Sequence, residues 1–181
     1  MPVGYNSAMR LNTLRIPILA LLVLLVSGAE AQQKQITISG TGIKPIEITA
    51  EDLAKMPRLS VDVSDAHSGK PQHYEGVRLS NLLAKVSVPL GESLRGRALA
   101  TYVVAHASDG YAVVYSLAEL DPAINGKQII VADTMDGRPL DQHQGPFRVV
   151  VPGDIRPARW IRMVVACEVA NAVSPSESLP R

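Results

Sequence analysis

The chain has 181 residues, with 18 basic side chains against 17 acidic ones and a single cysteine. That balance offers no basic excess for nucleic acid or an anionic membrane surface, so any binding site must come from local placement of charge. One cysteine excludes an internal disulfide.

In chain order, Arg10 and Arg15 precede an almost wholly apolar run over residues 16–26. Ser27-Gly28 breaks the run, and Ala29-Glu30-Ala31 is a small-x-small cleavage site. Residues 1–31 therefore read as a secretory signal peptide cleaved near Ala31, giving a periplasmic or secreted product. The run is shorter than the roughly 20 apolar residues that span a bilayer, so no stable membrane anchor is expected. Arg10 and Arg15 are not adjacent, which points to the general secretory route, where chains cross unfolded. Residues 32–172 are long enough for one domain with a core of its own. Residues 173–181 are Ser- and Pro-rich and read as a flexible tail.

Residues 35–40 alternate polar and apolar as a strand does, and 44–48 supply a partner after a turn at 40–42. Thr49 with Asp52 forms a capping-box signal for a short helix ending at Met56-Pro57. Residues 58–64 alternate again, with Leu59, Val61 and Val63 on one face. Residues 65–71 are polar and turn-rich, and 73–77 form a short strand. Leu79, Leu82, Leu83 and Val86 stand at helical spacing, predicting a helix over 79–86 packed on a sheet. Residues 89–97 read as a loop. Strands at 101–105 and 111–115 flank Ser108-Asp109-Gly110, whose Asp-Gly pair predicts a type I′ turn. Ser116 caps a short helix to Leu120. Residues 128–132, 147–151 and 161–167 are the remaining strands, with Asp136-Gly137 as a further turn. Some eight strands and two or three helices, without regular alternation, indicate an α+β domain built on a mixed, largely antiparallel, curved sheet. Cys167, in the apolar run Val164-Val165-Ala166-Cys167, reads as a core cysteine.

The chemistry concentrates in His143-Gln144-Gly145-Pro146-Phe147-Arg148-Val149-Val150-Val151-Pro152-Gly153, followed by Arg159-Trp160-Ile161. A β-branched strand with cationic groups at its mouth is an anion cradle. A capping His and a salt-bridged Arg would explain the same residues, and both readings stay open. His67, His73 and Asp65 are chemically suited to a transition metal, but their spacing matches no motif, and a polar loop before a strand is preferred. His106 and Asp109 read as a turn-stabilising pair, Tyr111 as a sheet tyrosine in preference to one facing a pocket, and Trp160 as a core anchor. No nucleophile elbow, phosphate-binding Gly-Lys loop or Cys-x-x-Cys is present, so nothing supports a hydrolase.

Four segments occur in order: Tyr74-Glu75-Gly76-Val77-Arg78-Leu79-Ser80-Asn81-Leu82-Leu83, Ser108-Asp109-Gly110-Tyr111, Asp136-Gly137-Arg138-Pro139-Leu140, and His143 to Gly153 with Trp160. Together they resemble the oxidoreductase molybdopterin-binding domain family, sulfite oxidase-like, over residues 36–170. The resemblance implies the sulfite-oxidase molybdopterin-binding fold and a molybdopterin site. It places His143 and Arg148 at the pterin pyrophosphate, and Arg159 where the family has a cofactor-contacting Lys. It assigns no catalytic residue. Three departures stand beside it. Gln144 is inserted after His143. Asp154 would repel a phosphate unless paired, with Arg156 the nearest candidate. The family's molybdenum-ligating cysteine falls at or near Ser64, where a serine does not reproduce thiolate coordination. The cofactor is assembled in the cytoplasm, so a chain exported unfolded would arrive without it. The expectation is an exported, cofactor-free, non-catalytic relative, without a bound metal, that binds a small anion or a protein partner. The alternatives are a molybdopterin-dependent oxidoreductase transferring oxygen atoms, or an accessory subunit with a redox partner. A Ser64 hydroxyl beneath Arg148 would support a decayed metal site; Ser64 facing solvent would displace the positional match.

Overall fold

In a computed structural model, Met1 and residues 34–65 and 69–173 are described. The rest of the predicted signal segment, His67 and the tail from residue 174 lie outside the described residues. From residue 34 on, the described residues belong to one unit, Gln32–Arg181.

The alternating segments pair as two sheets rather than one. The first has the order β2 (Ile43–Thr49), β1 (Gln35–Gly40), β10 (Val164–Asn171), β5 (Thr101–Ala107), β6 (Ala112–Ser116). The second runs β3 (Arg58–Ser64), β4 (Pro71–Arg78), β7 (Ile130–Met135), β8 (Arg138–Pro139), and β9 (Arg148–Val150) also pairs with β7. Among these pairings only β1 with β10 is parallel; the others are antiparallel. Two-residue periodicity tells each strand which face to bury, not which neighbour to take. That is why the mixed, largely antiparallel α+β class is legible in the sequence while its division into two sheets is not.

Both sheets contribute to one apolar core. Ile36, Ile38, Val103, Ala105, Tyr115 and Cys167 enter from the first sheet, and Tyr74, Val77, Val131 and Val149 from the second. Leu53 of α1 (Ala50–Ala54) and Leu79, Leu82 and Leu83 of α2 (Leu79–Leu83) complete it. Both predicted caps form. Thr49 Oγ1 accepts from the Asp52 N–H while Asp52 accepts from the Thr49 N–H, each at 3.1 Å. Ser116 and Glu119 do the same for α3 (Leu117–Leu120). Such a cap contributes about 1 kcal/mol, which a helix of one turn needs. α2 stops at Leu83, short of the predicted 86, yet Val86 remains buried.

Of the two Asp-Gly turns, the type I′ geometry falls at Asp136-Gly137 rather than at Asp109-Gly110. Asp136 and Gly137 both have positive φ, 50° and 73°, and link β7 to β8 as a two-residue loop of the type I′ kind. At residues 108–110 only Gly110 is left-handed, with φ 86°, and the Gly110 N–H donates to the Ala107 carbonyl. That is a three-residue loop closed by a glycine, not type I′. Gly76 serves a different need: a Cβ there would lie 2.0 Å from the Val131 carbonyl oxygen, at the irregularity where β4 crosses β7.

Candidate functional site

Phe147 and Val149 are fully buried, so strand alternation turns Arg148 to the other face of β9. There its guanidinium carbon lies 5.4 Å from the Tyr74 ring centroid and 5.7 Å from that of Trp160. The two rings meet edge to face, centroids 6.4 Å apart. Arg148 Nη1 donates to the Tyr74 hydroxyl at 2.9 Å and to Gln144 Oε1. Both acceptors are neutral. Arg148 makes no ion pair with any described residue, and its Nε–H is buried without a partner. Burial pulls its pKa below the ordinary arginine value. The nearby Tyr74 opposes this, Arg162 adds repulsion, and Asp141 and Asp65 offset part of it. The Trp160 Nε1–H is likewise buried and unpartnered. Two N–H donors are thus left without acceptors at one place.

Arg148 and Trp160 line a cavity of about 530 Å³ together with His143, Gln144, Arg162, Tyr111, Asp65, Asp109 and Asp141. Its loop is organised by Asp141, which accepts the backbone N–H of His143 at 2.8 Å and of Gln144 at 3.1 Å. The His143 hydrogen bond is the largest reason the Asp141 carboxyl sits below the usual range. The inserted Gln144 has a role here: it reaches back to hold Arg148. On the opposite wall the Tyr111 hydroxyl donates to the Ala158 carbonyl at 2.9 Å, and Asp109 caps the Tyr111 N–H at 3.0 Å.

The cavity gathers two of the three residues expected from the sequence. His143 is exposed at the rim and Arg148 is at the centre. Arg159 is not among the lining residues. It is held by Asp154 through Nε at 3.1 Å and Nη2 at 2.8 Å, and by Glu119 through Nη1 at 3.0 Å. Those hydrogen bonds, Asp154's first, raise its pKa. Asp154, read from the sequence as a threat to a phosphate site that Arg156 would neutralise, is instead Arg159's bidentate partner. Arg159 is therefore a structural ion-pair residue, with Arg162 supplying the second cation of the cavity.

Ser64 is exposed and does not line the cavity; the next residue, Asp65, does. With Ser64 facing solvent, the positional match to it does not hold. Asp65 accepts from Gln72 Nε2 at 3.3 Å. Cys167 is fully buried in β10, with its thiol pushed up to about 12 by burial. His73 does not assemble a metal set with Asp65: its Nδ1 pairs with Asp62 at 2.8 Å, across the β3–β4 register. No group of three or more His, Cys, Asp or Glu suited to a metal ion occurs among the described residues. His106 lies 3.8 Å from Glu168 rather than pairing with Asp109. Tyr111 faces the cavity, contrary to its reading as a plain sheet residue. Trp160 is both core anchor and cavity wall.

A family model described as oxidoreductase molybdopterin binding domain matches residues 24–178. Among solved structures, the fold is similar to that of the sulfane dehydrogenase SoxCD from Paracoccus pantotrophus, with a TM-score of 0.57 at 20% sequence identity. That likeness covers 77% of this chain but only 38% of the other, so this chain spans well under half of its length. No curated protein matches the sequence. With the family model spanning most of the chain, the protein belongs to the oxidoreductase molybdopterin binding domain family.

Proposed function

We propose that this family member is an exported, cofactor-free binding protein whose cavity takes a small oxyanion at Arg148. The observation that carries the reading is a part-buried guanidinium with no carboxylate partner. Withdrawing an ion from water costs several kcal/mol unless it is paired. Two aromatic faces return about 0.5–2 kcal/mol each at most. An oxyanion in the cavity, accepting from the Arg148 guanidinium and the exposed Arg162, offsets the rest.

The residues do not fit a molybdenum pterin well. Thiolate is the ligand that the family resemblance implies. Asp65 stands next to the predicted position, a hard carboxylate in place of a soft sulfur. Around the cavity, Asp65, Asp109 and Asp141 outnumber Arg148 and Arg162. Three aspartates oppose an extended polyanion more than a small anion held at Arg148. Molybdopterin-dependent oxygen-atom transfer is the competing reading, favoured by the family match alone.

Thermal unfolding in sodium sulfate against sodium chloride of equal ionic strength tests the site. Sulfate should raise Tm in a saturable way, as expected for a ligand that binds only the folded state. Arg162→Ala should weaken the response and Arg148→Met should abolish it. Equal responses to both salts, or an Arg148→Met protein that keeps the sulfate response, would contradict the assignment.

A further inference from the structure

A larger cavity, of about 1130 Å³, lies away from Arg148, where β2, the end of β10 and the segment after α2 come together. We infer that it is a binding site for a free amphipathic anion, an acidic headgroup on a hydrocarbon chain. Its charged lining residues are Lys44, Lys85 and Arg97, with no Asp or Glu among those lining it. The contrast with the Arg148 cavity, where acids outnumber arginines, is marked. Its apolar surface comes from Ile43, Ile46, Val86, Val88 and Val169, of which Val86 and Val169 belong to the core. Cationic side chains over an apolar floor accommodate the two halves of an amphiphile separately. The volume is slightly above the roughly 300–1,000 Å³ typical of small-molecule sites.

Two details define the occupant further. The polar end is fixed, because Asn171 Nδ2 donates both to the Arg97 carbonyl at 3.1 Å and to Thr101 Oγ1 at 3.0 Å. That holds the Arg97 turn against the end of β10. The open side is bounded by β2, the edge of its sheet, which carries Pro45. Proline takes a donor out of an exposed edge and blunts the addition of a peptide strand. A free acyl-chain carboxylate meets both conditions without needing backbone pairing.

Calorimetric titration of the folded protein with dodecanoate, below its micelle concentration, tests the proposal. Saturable binding is expected, with dodecyltrimethylammonium binding at least about tenfold more weakly. A Lys44→Gln/Lys85→Gln double variant, altered only at exposed positions, should weaken dodecanoate by about tenfold. Arg148→Met should leave it unchanged, which keeps failure here distinguishable from failure of the sulfate site. Equal affinity for the cationic amphiphile, an unaffected double variant, or no binding at all would overturn the proposal. So would binding to phosphatidylglycerol vesicles without binding to monomeric dodecanoate, since the partner would then be a membrane surface.

Discussion

Arg148 has a guanidinium in a half-buried place and only neutral oxygens to receive its protons. A residue retained for binding should cost stability when its ligand is absent. Replacing it with methionine keeps the hydrocarbon volume and removes the unpaired charge. Arg148→Met is therefore expected to be neutral or stabilising by about 1 kcal/mol in anion-free buffer, read from denaturant midpoints. A loss of several kcal/mol would mean that Arg148 is there to hold the fold. His73 is a second residue-level case. The hydrogen bond that the imidazole donates to Asp62 raises its pKa above 6.5, with Glu75 and Asp136 adding to it. A raised imidazole contributes fully below the unfolded value and loses that contribution as pH rises through the folded one. An NMR titration should place His73 above the ordinary histidine value, and Asp62→Asn should bring it down; an unmoved midpoint would contradict the pairing.

The elements were legible wherever a local rule fixed them. Thr49 with Asp52 and Ser116 with Glu119 announce their caps because the partners are three residues apart. Asp109-Gly110 and Asp136-Gly137 look alike in sequence. The number of residues left between paired strands decides which becomes type I′, and pairing is not local. Gly76 shows the same limit in reverse, since its need is set by Val131, a residue of another strand. Gly76→Ala should destabilise by about 3 kcal/mol, because a backbone oxygen, not a yielding side chain, occupies the Cβ position. Equilibrium unfolding in urea would measure it, and a loss under 0.5 kcal/mol would refute the close approach.

Across the whole molecule, the family fold was legible from four ordered segments, and the cavity they build was only partly so. His143 and Arg148, which the family resemblance placed at the cofactor, both line the cavity. Arg159 was misplaced because its fate depends on Glu119, in a distant helix, and on Asp154, read as repelling rather than pairing. Arg162 and Tyr111 had no sequence signal beyond position, and Asp65 came to light once β3 was seen to end with Ser64 facing solvent. The resulting cavity sets three aspartates, Asp65, Asp109 and Asp141, beside Arg148 and Arg162. The proposed function is that of an exported protein that works without a molybdenum pterin. The most direct measurement is metal analysis, with pterin fluorescence on the same sample, of protein purified from the periplasm of a molybdate-fed host under its own signal. The account predicts neither molybdenum nor pterin in folded protein that still gives a sulfate-dependent rise in Tm. Near-stoichiometric molybdenum with pterin would contradict it and make this a molybdoenzyme with a ligand other than cysteine.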